Sequence, residues 1–279
     1  MKLAYSSNAY MRFPLEEAIR HIADLGYTGI ELMADIPHLW PEDVTPGDLE
    51  RVRRLLEDRG LAISNVNAFM MNKIGDPRQK YWHPSWIEPD LAYRRIRTEH
   101  TKRALRMAAA LGATHITTEP GGPIAGEHER ESAMQTFVEE LKPVLEVAET
   151  ERVKLLVEPE PGLLIETKAQ WDDLRRRIDS PWLGLNYDIG HMYCVSEPLG
   201  ETIRALAPQI DHVHIEDIAA TRVHHHLVPG DGAIDFREPL GALRDVAYAG
   251  WVTVELYPFV DDPDTAGRRA RDHLLSLIQ

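Results

Sequence analysis

The sequence predicts a single α/β domain folded as a (β/α)₈ barrel, in which eight parallel strands alternate with eight helices. Short apolar runs alternate with longer amphipathic stretches along the whole chain. The length of 279 residues suits this fold, which typically takes about 250 residues. No glycine-rich phosphate turn follows the first strand, which argues against the competing open, doubly wound sheet.

The predicted strands are short apolar runs bounded by turn-forming or polar residues, and they cover residues 3–5, 29–32, 61–66, 115–118, 154–157, 183–187, 210–215 and 251–254. The first predicted helix begins at Pro14 and ends at Gly26. Proline suits the first turn of a helix, because the N–H that it lacks would be unpaired there anyway. The others cover about residues 48–59, 90–111, 129–149, 168–178, 200–206 and 239–245, followed by a terminal helix. No linker-like change of composition interrupts them, so residues 1–279 are predicted to form one domain.

Two long irregular stretches are predicted as loops. Residues 68–89 carry Trp82 and Trp86 among several prolines and glycines, and a loop of this length in a compact domain is usually functional, often a lid. Residues 218–235 carry the run His224-His225-His226. This run is compatible with a second metal site and equally with a solvated histidine cluster.

Composition excludes several classes of function. With 31 Lys and Arg against 45 Asp and Glu, the net charge is −14, which argues against a nucleic-acid partner because such binding depends on neutralising phosphates. No apolar run approaches the roughly 20 residues of a membrane span, and the first residues form a strand-like run instead of a signal peptide. The one cysteine, Cys194, excludes an internal disulfide and favours a reducing, cytoplasmic location.

Four metal-competent side chains fall at the carboxyl ends of four consecutive predicted strands. Glu158 and Asp188 end strands five and six, His214 lies in strand seven, and Glu255 ends strand eight. In a barrel of this kind those ends meet at the face that carries the active site. A single carboxylate at a strand end is commonly a cap or a solvated residue, but four such groups converging without a cation would repel one another.

Three carboxylates and one imidazole are hard to borderline donors. They suit Mn²⁺, with Mg²⁺, Co²⁺ and Zn²⁺ as alternatives, and they leave positions open for a substrate that binds through two oxygens. The sequence therefore predicts one divalent metal ion and a small polyhydroxylated carbonyl compound as its partner.

Several segments that carry these residues resemble the xylose isomerase-like TIM barrels. The matching segments are Gly26-Tyr27-Thr28-Gly29-Ile30-Glu31-Leu32, Val157-Glu158-Pro159, Tyr187-Asp188-Ile189-Gly190-His191, His212-Val213-His214-Ile215-Glu216-Asp217, Pro229-Gly230-Asp231-Gly232-Ala233-Ile234-Asp235-Phe236 and Val254-Glu255. That superfamily includes sugar isomerases and epimerases of the ketose 3-epimerase type, inosose dehydratases and apurinic endonucleases. The resemblance covers essentially the whole chain and is specific for fold and metal more than for reaction.

The resemblance implies a division of roles among the four residues. All four would coordinate the metal, and in ketose 3-epimerases the two glutamates also act as the acid–base pair. Glu255 would remove a proton next to a carbonyl, and Glu158 would return one to the opposite face. The metal would stabilise the resulting enediolate, without which such a proton is too weakly acidic for a carboxylate.

Four further residues are predicted to bind substrate. His191 matches a family histidine that contacts substrate oxygens near the metal. His226 stands where related members place a histidine before the Pro-Gly-Asp-Gly turn. Glu160 and Glu119 are expected at the same rim from their places beyond strands five and four. Aromatic side chains could in addition form an apolar wall for a sugar, or simply pack in the core: Tyr5, Phe69, Trp82 and Trp86.

The sequence leaves several functions open. An isomerase or epimerase and a dehydratase of the inosose type both begin by abstracting an α-proton, so the ligands do not separate them. A nuclease of the apurinic type would need histidines at the ends of strands three and four, where Asn67 and Glu119 stand. A non-catalytic binding protein is the remaining alternative. No phosphate cradle is evident, which favours an unphosphorylated substrate, and the resemblance implies a homodimer or homotetramer.

Overall fold

Eight parallel strands close on themselves in the computed structural model, which describes residues 1–79 and 81–278. The strands are β1 (Lys2–Ser6), β2 (Gly29–Met33), β3 (Ala62–Asn67), β4 (His115–Thr118), β5 (Lys154–Val157), β6 (Leu183–Asp188), β7 (Ile210–Ile215) and β8 (Trp251–Val254). Each strand pairs with its neighbours in chain order, and β1 pairs with β8 to complete the ring. The predicted (β/α)₈ barrel is confirmed.

Nine helices are found among the described residues: α1 (Leu15–Asp24), α2 (Pro46–Arg59), α3 (Leu91–Leu111), α4 (Arg130–Glu151), α5 (Lys168–Arg177), α6 (Ile189–Cys194), α7 (Leu199–Leu206), α8 (Arg237–Asp245) and α9 (Pro263–Ile278). Their apolar faces pack on the strands in one continuous core. In α1, for example, Ile19 and Ile22 are fully buried in the same cluster as Ile30 of β2. No helix of the described part has both the length and the apolar character needed to cross a membrane.

The sequence did not predict α6. This six-residue helix begins immediately after β6, and Asp188 caps it by accepting a hydrogen bond from the His191 N–H at 2.7 Å. Gly190 in this helix lies against Glu216, so that a β-carbon there would collide with the Glu216 carboxylate. The predicted third strand was also one residue out of place, because Asn67 belongs to β3 and Leu61 does not.

The inside of the barrel is polar beneath its carboxyl-end face. Ser64 of β3 and Thr253 of β8 lie 3.1 Å apart through their hydroxyl oxygens, although these strands are not neighbours in the sheet. The bond must therefore cross the barrel interior. Such groups are buried and mutually hydrogen-bonded, which offsets the cost of removing them from water. This polar interior supports the floor of the site described next.

Candidate metal and substrate site

Glu158, Asp188, His214 and Glu255 meet at the carboxyl-end face of the barrel. Glu158 directly follows β5, Asp188 ends β6, His214 lies in β7 and Glu255 directly follows β8. One ligand atom from each lies within 4.8 Å of the others, and all four side chains are buried. The strand register contributes directly, because Asp188 and His214 are paired across β6 and β7. The structure thus brings together the four residues that the sequence selected.

The imidazole of His214 faces the carboxylates through its Nδ1 atom. That atom lies 2.7 Å from Glu158 Oε1, 3.8 Å from Glu255 Oε1 and 4.0 Å from Asp188 Oδ2. Its other nitrogen, Nε2, lies 2.7 Å from an oxygen of Glu31. Nδ1 is therefore the nitrogen available to a cation, and Nε2 carries the hydrogen that Glu31 accepts.

Glu31 is a site residue that the sequence reasoning did not single out. It is fully buried in β2 and also accepts hydrogen bonds from Ser6 Oγ at 2.6 Å and Asn65 Nδ2 at 2.7 Å. Burial raises its pKa, but the adjacent His214 outweighs that effect and holds the pKa below its ordinary value. The sequence feature that could have identified Glu31 is its position as the one carboxylate within the otherwise apolar run of β2.

Two amides hold Glu255 in place. Its Oε1 accepts hydrogen bonds from Asn8 Nδ2 at 2.8 Å and from Asn67 Nδ2 at 3.2 Å. Asn67 also reaches Glu31 Oε1 at 3.3 Å. The rim position of Asn67 is therefore used to orient carboxylates. Neither asparagine was predicted in this role, since their contacts join distant parts of the chain.

The electrostatics of the four residues fit a divalent cation. Burial, opposed by His214 and reinforced by neighbouring carboxylates, raises the pKa of both Glu158 and Glu255. Burial would also raise the pKa of Asp188, but three nearby histidines lower it below its ordinary value. Within the described residues Asp188 Oδ2 has no hydrogen-bond donor. A buried carboxylate oxygen without a donor, beside two further carboxylates and an imidazole nitrogen, is the environment in which a divalent ion is stable.

Glu216 adds a fourth buried carboxyl beside Asp188. Neither of its oxygens has a hydrogen-bond partner among the described residues. Burial and the adjacent Asp188 raise the pKa of Glu216 well above its ordinary value. A protonated Glu216 would avoid the repulsion between two adjacent ionised carboxylates. Its role had not been predicted.

A pocket of about 180 Å³ opens above this cluster. It is lined by Asn67, Phe69, Met70, Gln79, Tyr81, Trp82, Glu158, Glu160, His191, His224, His226, Glu255 and Tyr257. Of the four clustered residues only Glu158 and Glu255 face the pocket, while Asp188 and His214 lie behind them. Among the described lining residues there is no lysine or arginine, and four are aromatic rings that can cover the C–H face of a sugar.

Three of the four residues predicted to bind substrate line this pocket: His191, Glu160 and His226. Burial raises the pKa of Glu160 to about 8, despite His191 nearby. Burial would lower the pKa of His191, but Asp188 and Glu160 raise it to about 9. His226 is fully buried, and burial together with His191 lowers its pKa to about 3.

Glu119 has surroundings different from those expected. Its carboxylate is fully buried and accepts hydrogen bonds from the backbone N–H groups of Trp86 at 2.9 Å and Gly121 at 2.6 Å. Burial raises its pKa to about 7. Glu119 is not among the residues that line the pocket. Through these two bonds it ties together the backbone of two loops.

The four aromatic residues considered for the pocket wall also divide into two that line the pocket and two that do not. Phe69 and Trp82 line the pocket. Trp86 is buried with its indole nitrogen donating to Thr118 Oγ1 at 3.0 Å, and Tyr5 is buried with its hydroxyl donating to the Pro263 carbonyl at 3.0 Å. The latter two therefore have packing roles.

Two loops supply the pocket wall, and to each of them one buried side chain makes four backbone hydrogen bonds. Arg97 of α3, fully buried, donates to four backbone carbonyls of the first loop, those of Ala68, Phe69, Trp82 and Pro84, at 2.7–3.1 Å. Asp217, directly after β7, accepts from four backbone N–H groups of the second loop, those of Ile218, Gly230, Gly232 and Ile234, at 2.9–3.1 Å.

Known proteins share this architecture over nearly the whole chain. The model of a family described as xylose isomerase-like TIM barrel matches residues 19–277. The fructoselysine 3-epimerase of Escherichia coli O157:H7 is 25% identical over 285 residues, which cover 100% of this chain and 98% of the relative. The inosose dehydratase of Clostridium perfringens (strain 13 / Type A) is 24% identical over 289 residues, covering 93% of this chain and 88% of the relative.

Solved structures share the fold. A D-tagatose 3-epimerase-like protein superposes with a TM-score of 0.81 at 22% identity, covering 99% of this chain and 98% of that one. The IOLI protein, described with a bound zinc atom, superposes with a TM-score of 0.80 at 18% identity, covering 100% and 98%. At these identities the likeness concerns the course of the backbone.

Proposed function

The chain belongs to the xylose isomerase-like TIM barrel family, and from this premise we propose that it is a divalent-metal-dependent isomerase or epimerase of a small sugar or cyclitol. The relatives' names support this class, since the fructoselysine 3-epimerase aligns over the whole chain. The observation that carries the proposal is the division within the four-residue cluster. Glu158 and Glu255 face the pocket, and Asp188 and His214 do not.

The proposed metal ligands are Glu158, Asp188, His214 and Glu255, with Mn²⁺ as the proposed ion. Three oxygen donors and one nitrogen suit an ion of that hardness, and Asp188 Oδ2 otherwise lacks a partner. A divalent ion held there would supply the positive charge that stabilises negative charge developing on substrate oxygens.

The protein's own residues would move the proton. Glu255, oriented by Asn8 and Asn67, would take the proton from the carbon next to the substrate carbonyl. Glu158, the other residue of the cluster that faces the pocket, would deliver a proton to the opposite face of that carbon. His191, Glu160 and His226 would bind hydroxyl groups from the pocket wall, and Phe69 and Trp82 would exclude water. A neutral substrate suits the acidic lining better than a phosphorylated one.

Deuterium exchange tests the proposal. The protein with Mn²⁺ is incubated in D₂O with a panel of ketoses and inososes, and deuterium in each recovered compound is located by NMR. We expect exchange at one carbon next to the carbonyl of the true substrate. Glu255→Gln should slow this exchange by roughly 10²-fold or more, the usual contribution of a general base, whereas Glu201→Gln on the outer surface should not.

Exchange that continues unchanged in Glu255→Gln would show that Glu255 is not the base, and metal binding without exchange in any compound would favour a binding protein. The product separates the two enzymatic possibilities. An epimerase returns a stereoisomer, whereas a dehydratase expels a β-hydroxyl and forms an unsaturated product. Because some relatives are inosose dehydratases, the experiment also tests for the unsaturated product. Homodimer or homotetramer formation, measured by light scattering, is a separate prediction.

A further inference from the structure

A second depression adjoins the pocket at the carboxyl-end face of the barrel. Tyr81 and Tyr257 line both, and their rings meet edge to face with centroids 5.5 Å apart. This tyrosine pair is therefore the wall between the two. We refer to the pocket above the four-residue cluster as the inner pocket and to its neighbour as the outer depression, which is otherwise lined by Met11, Arg12, His225, Pro258 and Val260.

The two volumes indicate a ligand that extends beyond the inner pocket. The inner pocket has a volume of about 180 Å³ and the outer depression one of about 440 Å³. Sites for small molecules usually measure about 300–1,000 Å³. The inner pocket alone is smaller than this range, whereas the two together lie within it. The combined site suits a molecule whose reacting end fills the inner pocket and whose other end passes over the tyrosine pair.

The charges of the two spaces differ in sign. Glu158, Glu160 and Glu255 line the inner pocket, and its described lining residues include no lysine or arginine. The outer depression has the reverse composition, since Arg12 lines it and none of its described lining residues is acidic. A ligand complementary to both spaces has a neutral polyhydroxyl end and an acidic end.

Arg12 has donors left for such an acid. Its Nη1 atom donates to the Asp261 carboxylate. The two side chains are 62% and 78% exposed, so this ion pair contributes little to stability. The Nε and Nη2 atoms of Arg12 make no hydrogen bond to the described residues. Those two N–H groups lie on one edge of the guanidinium and can bind both oxygens of a carboxylate.

The rest of the outer depression suits the chain that would join the two ends. Met11, Pro258 and Val260 are half-buried and apolar, and the tyrosine rings add aromatic surface beside them. Burying the methylene groups of a linker against such a surface is favourable. A short carbon chain can therefore pack here while its carboxylate reaches Arg12.

We propose that the substrate is a sugar or cyclitol that carries a carboxylate on a short substituent, and that the outer depression binds this substituent with Arg12 as the partner of the acid. The inference rests on the proposed function, because it places the reacting carbonyl compound in the inner pocket. It narrows the substrate class from free sugars to acidic conjugates.

Binding of matched probes tests the proposal. The probes are D-fructose carrying a carboxypropyl ether on either terminal hydroxyl, and the uncharged methylamide of each. The wild type, Arg12→Gln and Arg20→Gln are titrated calorimetrically with every probe in the presence of Mn²⁺. Arg20 is an exposed arginine of α1 that lines neither space, which makes it a matched control. Thermal melting confirms that each variant is folded.

The wild type should bind one of the acids about fivefold more tightly than its methylamide at low ionic strength, the upper range for one exposed ion pair. Added salt should reduce this preference, because it screens exposed charges. Arg12→Gln should bind acid and methylamide equally, and Arg20→Gln should keep the preference. Equal affinities in the wild type, or a preference that persists in Arg12→Gln, overturn the proposal.

Deuterium exchange into the same probes separates this proposal from the proposed function. An acid preference that depends on Arg12, without exchange in any probe or in the ketose and inosose panel, supports the outer site and contradicts the proposed chemistry. Exchange in the wild type together with equal affinities for acid and methylamide leaves the proposed function standing and overturns the outer site.

Discussion

Single residues of the cluster act on one another through fixed hydrogen bonds. Glu31 lies in β2 and His214 in β7, and their contact of 2.7 Å crosses the barrel interior. Because Glu31 accepts the hydrogen on Nε2, His214 must offer Nδ1 to the three carboxylates. The ring orientation at the proposed metal centre therefore depends on a residue that does not face the metal.

Replacing Glu31 should weaken metal binding while the four proposed ligands remain. Glu31→Gln removes the charge that makes His214 a better donor, and loss of such a partner typically lowers metal affinity by about 10–100-fold. Mn²⁺ titration calorimetry measures the change, with Glu17→Gln on the exposed face of α1 as the control. An affinity within threefold of the wild type would show that the ring is oriented by other contacts.

Glu119 makes the stability of the fold depend on pH. Burial raises its pKa from 4.5 to about 7, so between these values the unfolded chain has released a proton that the folded chain keeps. The free energy of unfolding therefore decreases as pH rises through this window, by at most about 1.4 kcal/mol per pH unit from this group. This contribution is fully present below pH 4.5 and is lost above about pH 7.

Glu119→Gln cannot ionise and should remove that part of the slope. Urea unfolding at several values between pH 4.5 and 8 measures it, and Glu129→Gln, an exposed carboxyl in the same connection, should keep the wild-type slope. A slope in Glu119→Gln that equals the wild type would mean that Glu119 titrates normally in the folded protein.

Among the elements, β7 and the loop after it determine most of the site. The strand carries His214, and the residues directly after it are Glu216 beside Asp188 and Asp217 at the base of the second loop. Through four backbone hydrogen bonds, Asp217 holds the loop that places His224 and His226 over the pocket. One carboxylate thus anchors the loop at four backbone positions.

Asp217→Ala should therefore release this loop. Four backbone N–H groups would lose a charged acceptor, and with about 1.5–3 kcal/mol for a single such bond we expect the loop to be destabilised by roughly 3 kcal/mol or more. Hydrogen–deuterium exchange detected by mass spectrometry should show faster exchange in residues 227–234. Asp235→Ala, exposed in the same loop, should leave it unchanged. Slow exchange in both variants would mean that other contacts order the loop.

The sequence predicted those elements whose signal is local. Strands such as β5 and β8 are mostly apolar runs, and the predicted bounds of β4, β5, β7 and β8 are correct. The short α6 was missed because Asp188, read as a ligand, also caps a helix. The four residues at strand ends could be selected because parallel strands end on one face. Glu31, Asn8 and Arg97 could not, since their roles arise from contacts between distant segments.

In the molecule as a whole, the burial of like charges makes the stability of the folded state depend on metal binding. The chain carries a net charge of −14, and buried carboxyl groups cluster at one end of the barrel, among them those of Glu158, Asp188, Glu216 and Glu255. Their mutual repulsion destabilises the folded state unless a proton or a cation reduces it. The proposed metal is therefore expected to contribute to folding as well as to reaction.

Chelation should lower the thermal stability, and Mn²⁺ should restore it. An ion at 100 times its dissociation constant stabilises a folded protein by about 2.7 kcal/mol when it does not bind the unfolded chain. Calorimetry with EDTA and with Mn²⁺ measures the difference in melting temperature. Glu158→Gln should show a much smaller response. An equal response from both proteins would place the stabilising ion elsewhere.

The attachment of the two loops has a consequence for engineering. The residues proposed for catalysis lie at strand ends, whereas Phe69, Trp82, His224 and His226 come from loops anchored by Arg97 and Asp217. Each loop can thus be exchanged as a cassette between the strand before it and the helix after it, without touching the strands. Libraries that vary residues 69–82 and 219–229, with both anchors kept, would alter which sugar is accepted while preserving the chemistry beneath.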